Sequence, residues 1–513
     1  MMGMGRPGPS SPLSRADRRW LAWPLAVGLA VAALYVWTND YPAYGAGLYT
    51  LTADTVRANS YALPASVPHY GSEGVPFAYP PLAFYALAIL RDLGAPTFGT
   101  ALVVPPLVTV AALVPVYLLA RDVVGDRRAG TAAALLVAVN PQALEWHISA
   151  GGLVRAPALF FALCGAYAAL RLFRDGDRDW LPVGVLAVLL VGLTHPTYAV
   201  FTVATYLVFW VGYDRSPAGF RDGAVVGVGA LALATPWLVT VASIHGPAVF
   251  TGAAGTHGGI GGGLYRLREW GPTLAVVPTG IGVALLGTRQ RVLGLWTVAV
   301  WLLFAQPRFA YVVGAITTVA AVALGAQAAA RRDLTVRSRT ATRAVLAALV
   351  VTSAVGLGGV GLAIAEPRDG TTPEFVDDAD VAAMAWAGEE TAPDATFVVL
   401  GDAAEWFPVV TERTMLVSPW GAEWRGPDTY EPQLDAFVAA SRCESATCVE
   451  RALATVSADP DYVYVPRGHY TVRGGHRYTD GDLVDSFEER PDYERSYGND
   501  GVVVFRAVES SSH

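Results

Sequence analysis

The chain has 513 residues, 53% of them hydrophobic and only 16% charged, with a mean hydropathy of +0.38. That balance excludes a disordered chain and argues against a soluble enzyme. Repeated apolar runs of membrane-helix length mark a polytopic membrane protein. The net charge of −8 hides a division: residues 1–365 carry 25 Arg against 15 Asp and Glu, a net +10, while residues 366–513 carry 11 Arg against 29, a net −18. A basic membrane part therefore precedes an acidic soluble part, and every basic position is Arg rather than Lys.

In chain order, residues 1–19 form a short segment rich in Arg. Transmembrane helices are predicted over 20–37, 98–120, 129–145, 150–171, 180–194, 196–211, 223–243, 271–287, 292–305, 309–330 and 344–365. About eleven spans put the termini on opposite sides. Arg6, Arg15, Arg18 and Arg19 make the N-terminus cytoplasmic, and the N-terminus and inside loops together then hold 19 Arg against 6 outside. The first helix is followed by no small-x-small cleavage site, so it reads as a retained anchor. The membrane domain is 20–365, and its first outer loop is 38–97. Within that loop an amphipathic interfacial helix is expected near 47–60, and a second short helix over 82–92, after Pro80-Pro81.

Ionisable groups are scarce at the helix centres, where a proton-coupled transporter would need them. They gather instead at outer helix ends and loops: Asp40, Asp54, Glu73, Asp92, Glu145 and Glu269. The first loop also holds Tyr41, Tyr44, Tyr49, Tyr61, Tyr70 and Tyr79. Tyrosine offers a flat face for sugar C–H groups and a hydroxyl for hydrogen bonds, although an interfacial aromatic belt explains the same residues. Arg155, just after NPQALEWHISAGGLV, can pair with a phosphate in bidentate fashion or snorkel to the interface. His195 in GLTHPTY is a substrate contact or a structural hydrogen-bonder. Arg308 in AQPRFAY is a second outer cation. The Gly-rich run around His257 lacks the setting of a phosphate loop and reads as a flexible outer loop.

The order of an Arg cluster, one helix, Asp40 in a long outer loop, then Pro80-Pro81-Leu82, a short helix and a span ending LARDVVGDRR resembles the GT-C superfamily of membrane glycosyltransferases. The similar branches are the protein mannosyltransferases and aminoarabinose transferases. The sequence departs from them in having Tyr41 rather than Glu after Asp40, and no WWD motif in the soluble part. The resemblance implies an inverting transfer of a sugar from a polyprenyl-phosphate donor to a glycan or protein acceptor on the extracytoplasmic face. Asp40 would be the general base. Tyr44, Glu73, Tyr79, Glu145, His147, Arg155, His195 and Arg308 would be the substrate-binding set. With no Asp-x-Asp in the outer loops, neither a divalent metal nor another cofactor is expected. Two other classes remain open: a transporter or flippase of lipid-linked sugars, and a non-catalytic membrane scaffold. No inverted repeat with midplane half-helices is visible to favour the transporter.

Residues 366–513 read as a C-terminal extracytoplasmic α/β domain. FVVLG, TMLVS, DYVYVP and GVVVFRAV are strand-like, and DDADVAAMAWAGEE, EPQLDAFVAAS and CVERALATVS are helical. Cys443 and Cys448 suit a short-range disulfide in an oxidising exterior, while Cys164 reads as packing. Glu405-Trp406 and Glu423-Trp424, with Arg413 between them, either complete an acceptor pocket or pack the domain on the membrane surface. The domain is too acidic for nucleic acid. Its acidic, Lys-free character is similar to the surfaces of proteins from halophilic archaea, although a GC-rich genome also gives Arg in place of Lys.

Overall fold

The computed structural model describes residues 13–256, 276–304, 306–331 and 373–508. The expected span at 344–365 and the loop with His257 and Glu269 lie outside the described residues. The helical body comprises α1 (Arg15–Thr38), α2 (Gly47–Ala58), α3 (Leu82–Asp92), α4 (Thr97–Val124), α5 (Arg127–Ala138), α6 (Pro141–Ile148) and α7 (Gly152–Asp175). It continues with α8 (Leu181–Gly192), α9 (Pro196–Tyr213), α10 (Pro217–His245), α11 (Val249–Thr256), α12 (Val276–Leu285), α13 (Arg291–Leu303) and α14 (Pro307–Arg331).

Among the described residues five helices are long and apolar enough to cross a membrane: α1, α4, α7, α10 and the Arg308–Gln327 stretch of α14. The expected span at 129–145 is two helices. The Asn140 side chain accepts from the N–H groups of Gln142 and Ala143 at 3.0 and 3.3 Å, and Pro141 opens a new helix in the first-turn position that suits it. The 12 residues of α5 reach only about 18 Å, short of the roughly 30 Å hydrocarbon core. Periodicity merged the two because both flanks of the cap are apolar.

Helix α7 is the axis of the body. Ala156, Ala158, Ala162, Gly165, Ala166 and Ala169 are buried along it, and such small residues let neighbouring backbones approach closely where no hydrophobic force drives helices together in lipid. By contrast α10 leaves Phe220, Val228, Leu231 and Val239 exposed, the surface of a helix facing acyl chains. One end of the body is stitched by ion pairs among helix ends. Asp17 meets Arg127 at 2.9 Å and Arg121 at 3.3 Å, and Arg178 meets Asp222 at 2.8 Å. The helix ends carrying Arg155, His195 and Arg308 lie at the other end.

The first outer loop adds a small hairpin, β1 (Ser66–Val67) with β2 (Val75–Pro76). Residues 373–508 contain β3 (Thr396–Val399), β4 (Thr414–Met415), β5 (Tyr462–Pro466), β6 (Gly468–Val472), β7 (Gly475–Thr479), β8 (Tyr493–Gly498) and β9 (Val502–Ala507). Five of them form a mixed sheet in the order β4-β3-β5-β9-β8; β3 is parallel to β4 and β5, and β9 antiparallel to β5 and β8. Strands β6 and β7 make a separate hairpin. The sheet is flanked by helices that include α15 (Asp378–Glu390), α16 (Phe407–Thr411), α17 (Pro427–Ala440), α18 (Ala446–Ala454) and α19 (Asp482–Glu488). A disulfide joins Cys443, just past α17, to Cys448 in α18.

The first outer loop belongs to both parts. Tyr70 bridges in parallel to Met415, with Gly71 N–H donating to Met415 at 2.8 Å and Met415 N–H to His69 at 3.0 Å, so the loop prolongs the sheet beyond β4. Leu51, Val56, Phe77 and Phe84 share one hydrophobic core with Phe397, Trp406 and Met415. Burying those side chains contributes on the order of 2 kcal/mol each, so the junction is an integral part of the fold.

Candidate active site

The end of the helical body away from Asp17, together with the acidic domain, encloses a cluster of charged and aromatic groups. Arg155 lies in the first turn of α7, Arg308 in the first turn of α14, and His195 caps α9, its ring nitrogen accepting from Thr197 N–H at 3.3 Å. Helix N-termini carry partial positive charge, and the three that converge here add to the two guanidinium groups. Among the described residues, neither arginine forms an ion pair with a carboxylate. Arg155 rests over the Trp146 ring, 5.2 Å from its centroid. Arg308, 7% exposed, lies over Tyr198 at 5.5 Å and Phe309 at 5.4 Å, and its Nε has no hydrogen-bond partner. Two guanidinium groups held on aromatic faces beside helix N-termini, unpaired with any described carboxylate, have the chemistry to take a planar or tetrahedral oxyanion in bidentate fashion.

Aromatic residues build the walls. Tyr44 stacks on Trp146 with centroids 4.9 Å apart and donates its hydroxyl to Glu145 at 2.7 Å. Its φ of 60° is a left-handed conformation held by the Pro373 carbonyl, which accepts Tyr44 N–H at 2.9 Å. Tyr49 and Tyr79 pack ring to ring with centroids 5.8 Å apart, and Tyr79 meets His195 edge-on at 5.8 Å and Trp424 at 5.6 Å. His147 is fully buried beneath Tyr198, with Nε2 2.6 Å from its hydroxyl and Nδ1 bonded to the Ala143 carbonyl. It is a strut that fixes the ring under Arg308.

The acidic domain contributes Glu405, on a turn after β3, and Glu423, on a turn before α17. Burial pushes the Glu405 carboxyl up to about 8 and Glu423 up to about 7; the Asp402 and Glu423 charges raise Glu405 further, while Arg473 and Arg155 pull it down. Glu423 Oε2 is buried without a hydrogen-bond partner.

The structure thus brings together Tyr44, Tyr79, Glu145, His147, Arg155, His195 and Arg308. It leaves out two residues that sequence placed with them. Glu73 is 77% exposed by side chain and pairs with Arg425 at 2.7 Å, because the β1–β2 hairpin carries it to the outer rim. Asp40, just past α1, is exposed, and the acidic groups near it are Glu374 and the Asp377–Asp378 pair that also faces Tyr41. Asp54 and Asp92 are tied up by Arg57 and Arg91 on the loop helices. Arg413 is buried and spends its donors on Thr391, Thr411 and the Gly388 carbonyl, a packing role. Sequence reasoning gave Tyr198 no place in the site; it offered Tyr49 only as one of the first-loop tyrosines, and Glu405 and Glu423 as part of either an acceptor pocket or a packing surface. The signal that three of the acids share is Glu-Trp, at 145–146, 405–406 and 423–424, and the same pair recurs at 269–270.

Residues 78–239, from the end of the first outer loop into α10, match the family described as dolichyl-phosphate-mannose-protein mannosyltransferase. The fold is shared with solved structures at low identity. ArnT from Cupriavidus metallidurans bound to undecaprenyl phosphate superposes with a TM-score of 0.57 at 15% identity, over 96% of this chain and 99% of that one. The Archaeoglobus fulgidus oligosaccharyltransferase tethered with an acceptor peptide gives 0.53 at 15% identity, over 86% and 69%. The arabinofuranosyltransferase AftD from Mycobacteria gives 0.55 at 15% identity, over 97% of this chain but only 42% of that larger one. No curated protein matches by sequence.

Proposed function

We propose that this protein transfers a sugar from a polyprenyl-phosphate donor to an acceptor at the outer face of the membrane. The observation that carries this reading is the pair Arg155 and Arg308, unpaired with any described carboxylate and set on Trp146 and Tyr198 at converging helix N-termini. A phosphoester held there would have its leaving charge neutralised as the glycosidic bond breaks. Tyr44, Tyr49 and Tyr79 supply ring faces and hydroxyls for a sugar. The reading is supported by the family match over 78–239 and by a fold shared with an enzyme bound to undecaprenyl phosphate. It puts the N-terminus in the cytoplasm and the acidic domain outside, in line with the arginine distribution and with the Cys443–Cys448 disulfide.

The test uses the purified full-length protein in lipid vesicles with a panel of radiolabelled dolichyl- and undecaprenyl-phosphate hexoses and pentoses, and delipidated envelope polymer as acceptor. Label should enter the polymer with stoichiometric release of the polyprenyl phosphate. A protein that neither turns over nor binds any member of the panel would refute the reading.

A further inference from the structure

We propose that the acceptor is an uncharged saccharide, held in a cavity between the end of α10, helix α11, the β1–β2 hairpin and the turn before α17. The inference rests on the sugar-transfer reading above and deepens it, naming the class of the second substrate and the place that holds it. The cavity has a volume of about 620 Å³, the size of an ordinary ligand site. Its described lining includes Pro76, His245, Thr251, Trp424, Arg425 and Pro427.

Three segments fix its walls. Val241 on α10, Val249 on α11, Ala78 in the first loop and Trp424 form one buried cluster, against which Tyr79, Trp237 and Phe250 pack. Gly252 lets α11 lie against the turn: a Cβ there would stand 3.4 Å from the carbonyl oxygens of Glu423 and Trp424. Trp424 is the partition between this cavity and the arginine cluster. It lines the cavity and meets Tyr79 edge-on at 5.6 Å, and Tyr79 in turn meets His195 at 5.8 Å. A ligand in the cavity is thus separated from Tyr79 by one indole ring.

The chemistry of the walls selects the ligand class. No carboxylate is among the described lining residues, and Arg425 is already balanced by Glu73 at 2.7 Å and bonded to the Gly74 carbonyl at 2.6 Å. Unlike Arg155 and Arg308, it offers no unpaired charge to a phosphate. The polar capacity left over lies beside apolar surface. His245 Nε2 is buried with no hydrogen-bond partner among the described residues. Thr251 donates its hydroxyl to the Ala248 carbonyl at 3.0 Å, which leaves its oxygen able to accept. A buried polar atom without a partner is costly unless a ligand or water meets it. An indole beside an imidazole and a hydroxyl matches a sugar, whose C–H face packs on aromatic carbon while its hydroxyls donate and accept. A peptide backbone finds no open strand edge here. The N–H groups of Trp424 and Gly426 are used within the turn, on the Gly421 and Glu423 carbonyls at 3.3 and 3.2 Å, and Pro76 and Pro427 have none.

The experiment reads binding and transfer separately, on the full-length protein in vesicles. The probes are neutral di- to tetrasaccharides of mannose, glucose and galactose, the same sugars as decyl glycosides, and peptides containing Ser, Thr and Asn. Binding of free saccharides and peptides without donor is followed by saturation-transfer difference NMR against protein-free vesicles. Acceptor KM is measured with the donor that wild type consumes. Thr251→Trp fills the cavity from an exposed position, and Ser243→Trp, exposed on the opposite side of the end of α10, is the control. Saccharide binding should be present in wild type and lost in Thr251→Trp, with melting temperature unchanged and dolichyl-phosphate affinity within about threefold. Acceptor KM should rise at least about tenfold in Thr251→Trp and Trp424→Ala, with Trp424→Phe in between and Ser243→Trp within about twofold of wild type. Transfer to free sugars supports a polymer as the carrier of the saccharide, and transfer to decyl glycosides alone supports a lipid. Saccharide binding and acceptor KM within about threefold of wild type in Thr251→Trp would overturn the proposal and leave sugar transfer intact, as would a peptide whose binding that substitution abolishes. A wild type that binds saccharide but is inactive on every donor would instead overturn the transfer reading, leaving a saccharide site with no acceptor role.

Discussion

Replacing Arg155 with Ala separates a binding role from a structural one. The side chain makes two kinds of contribution to a bound phosphate: a cation held over Trp146, worth about 0.5–2 kcal/mol when desolvated, and charge-assisted hydrogen bonds, worth about 1.5–3 kcal/mol. Losing them together should weaken polyprenyl-phosphate binding by about 2–5 kcal/mol, roughly 30- to 4,000-fold. The ligand-free protein should respond in the opposite direction. Arg155 has no ion-pair partner among the described residues, and the second cation, Arg308, lies within its electrostatic reach. Removing one of two like charges leaves no carboxylate stranded, so the melting temperature should hold or rise. Arg155→Lys keeps the charge but loses the fork and the flat stacking surface, and should fall between Ala and wild type. The assay is quenching of tryptophan fluorescence on titrating dolichyl phosphate, paired with thermal melts without lipid. Affinity within threefold of wild type, or a melting temperature that drops sharply, would show that Arg155 serves packing and that the anion site lies elsewhere.

Three further outcomes follow from the same contacts. Glu405 and Glu423 titrate higher in the folded protein than the ordinary value of 4.5, so the folded state keeps protons that the unfolded chain has released, and stability should decline as pH rises from about 4.5 through 7–8; melts from pH 5 to 9 should show a shallower slope in Glu405→Gln than in wild type. Glu73→Gln removes only a rim ion pair with Arg425, so stability should change by less than about 1 kcal/mol and transfer rate by less than twofold in the vesicle assay; a tenfold loss would put Glu73 back in the site. Tyr44→Phe loses the hydrogen bond to Glu145 but keeps the stack on Trp146; a cost of about 1.5–3 kcal/mol is expected in thermal denaturation or donor binding, and an unchanged protein would mean that water replaces the bond.

The sequence could be read well where a single element carries its own signal. The helix over 82–92 follows from Pro80-Pro81 and an apolar run, and α3 spans those residues. The amphipathic pattern after Tyr44 becomes α2, ending one residue before Asn59. FVVLG, TMLVS, DYVYVP and GVVVFRAV coincide with β3, β4, β5 and β9 because each is a short β-branched run. Strand β8, YERSYG, escaped because an edge strand facing solvent lacks that pattern. The break at Asn140-Pro141 was visible as a cap, but apolar residues on both sides concealed that two short helices stand where one span was expected.

The site divides in the same way. Arg155, His195 and Arg308 could be picked out from sequence because a charge or imidazole at the end of an apolar helix is expensive and conspicuous. Glu405 and Glu423 stood out only by their tryptophan neighbours, with packing an equal explanation, since by charge alone an acid in a domain of net charge −18 looks like any other surface acid. Composition, helix periodicity and arginine placement by themselves determined a basic helical body joined to an acidic α/β domain, because those properties are local and additive along the chain. Only the tertiary structure decided which distant segments close over the end of the body that carries the arginines. That choice depends on two segments some 360 residues apart, where Gly45 and Gly47 leave room for the Asp402–Glu405 turn to close on the first outer loop. Close approach of this kind is a property of the packed chain, and a pattern read along one strand of sequence carries no trace of it.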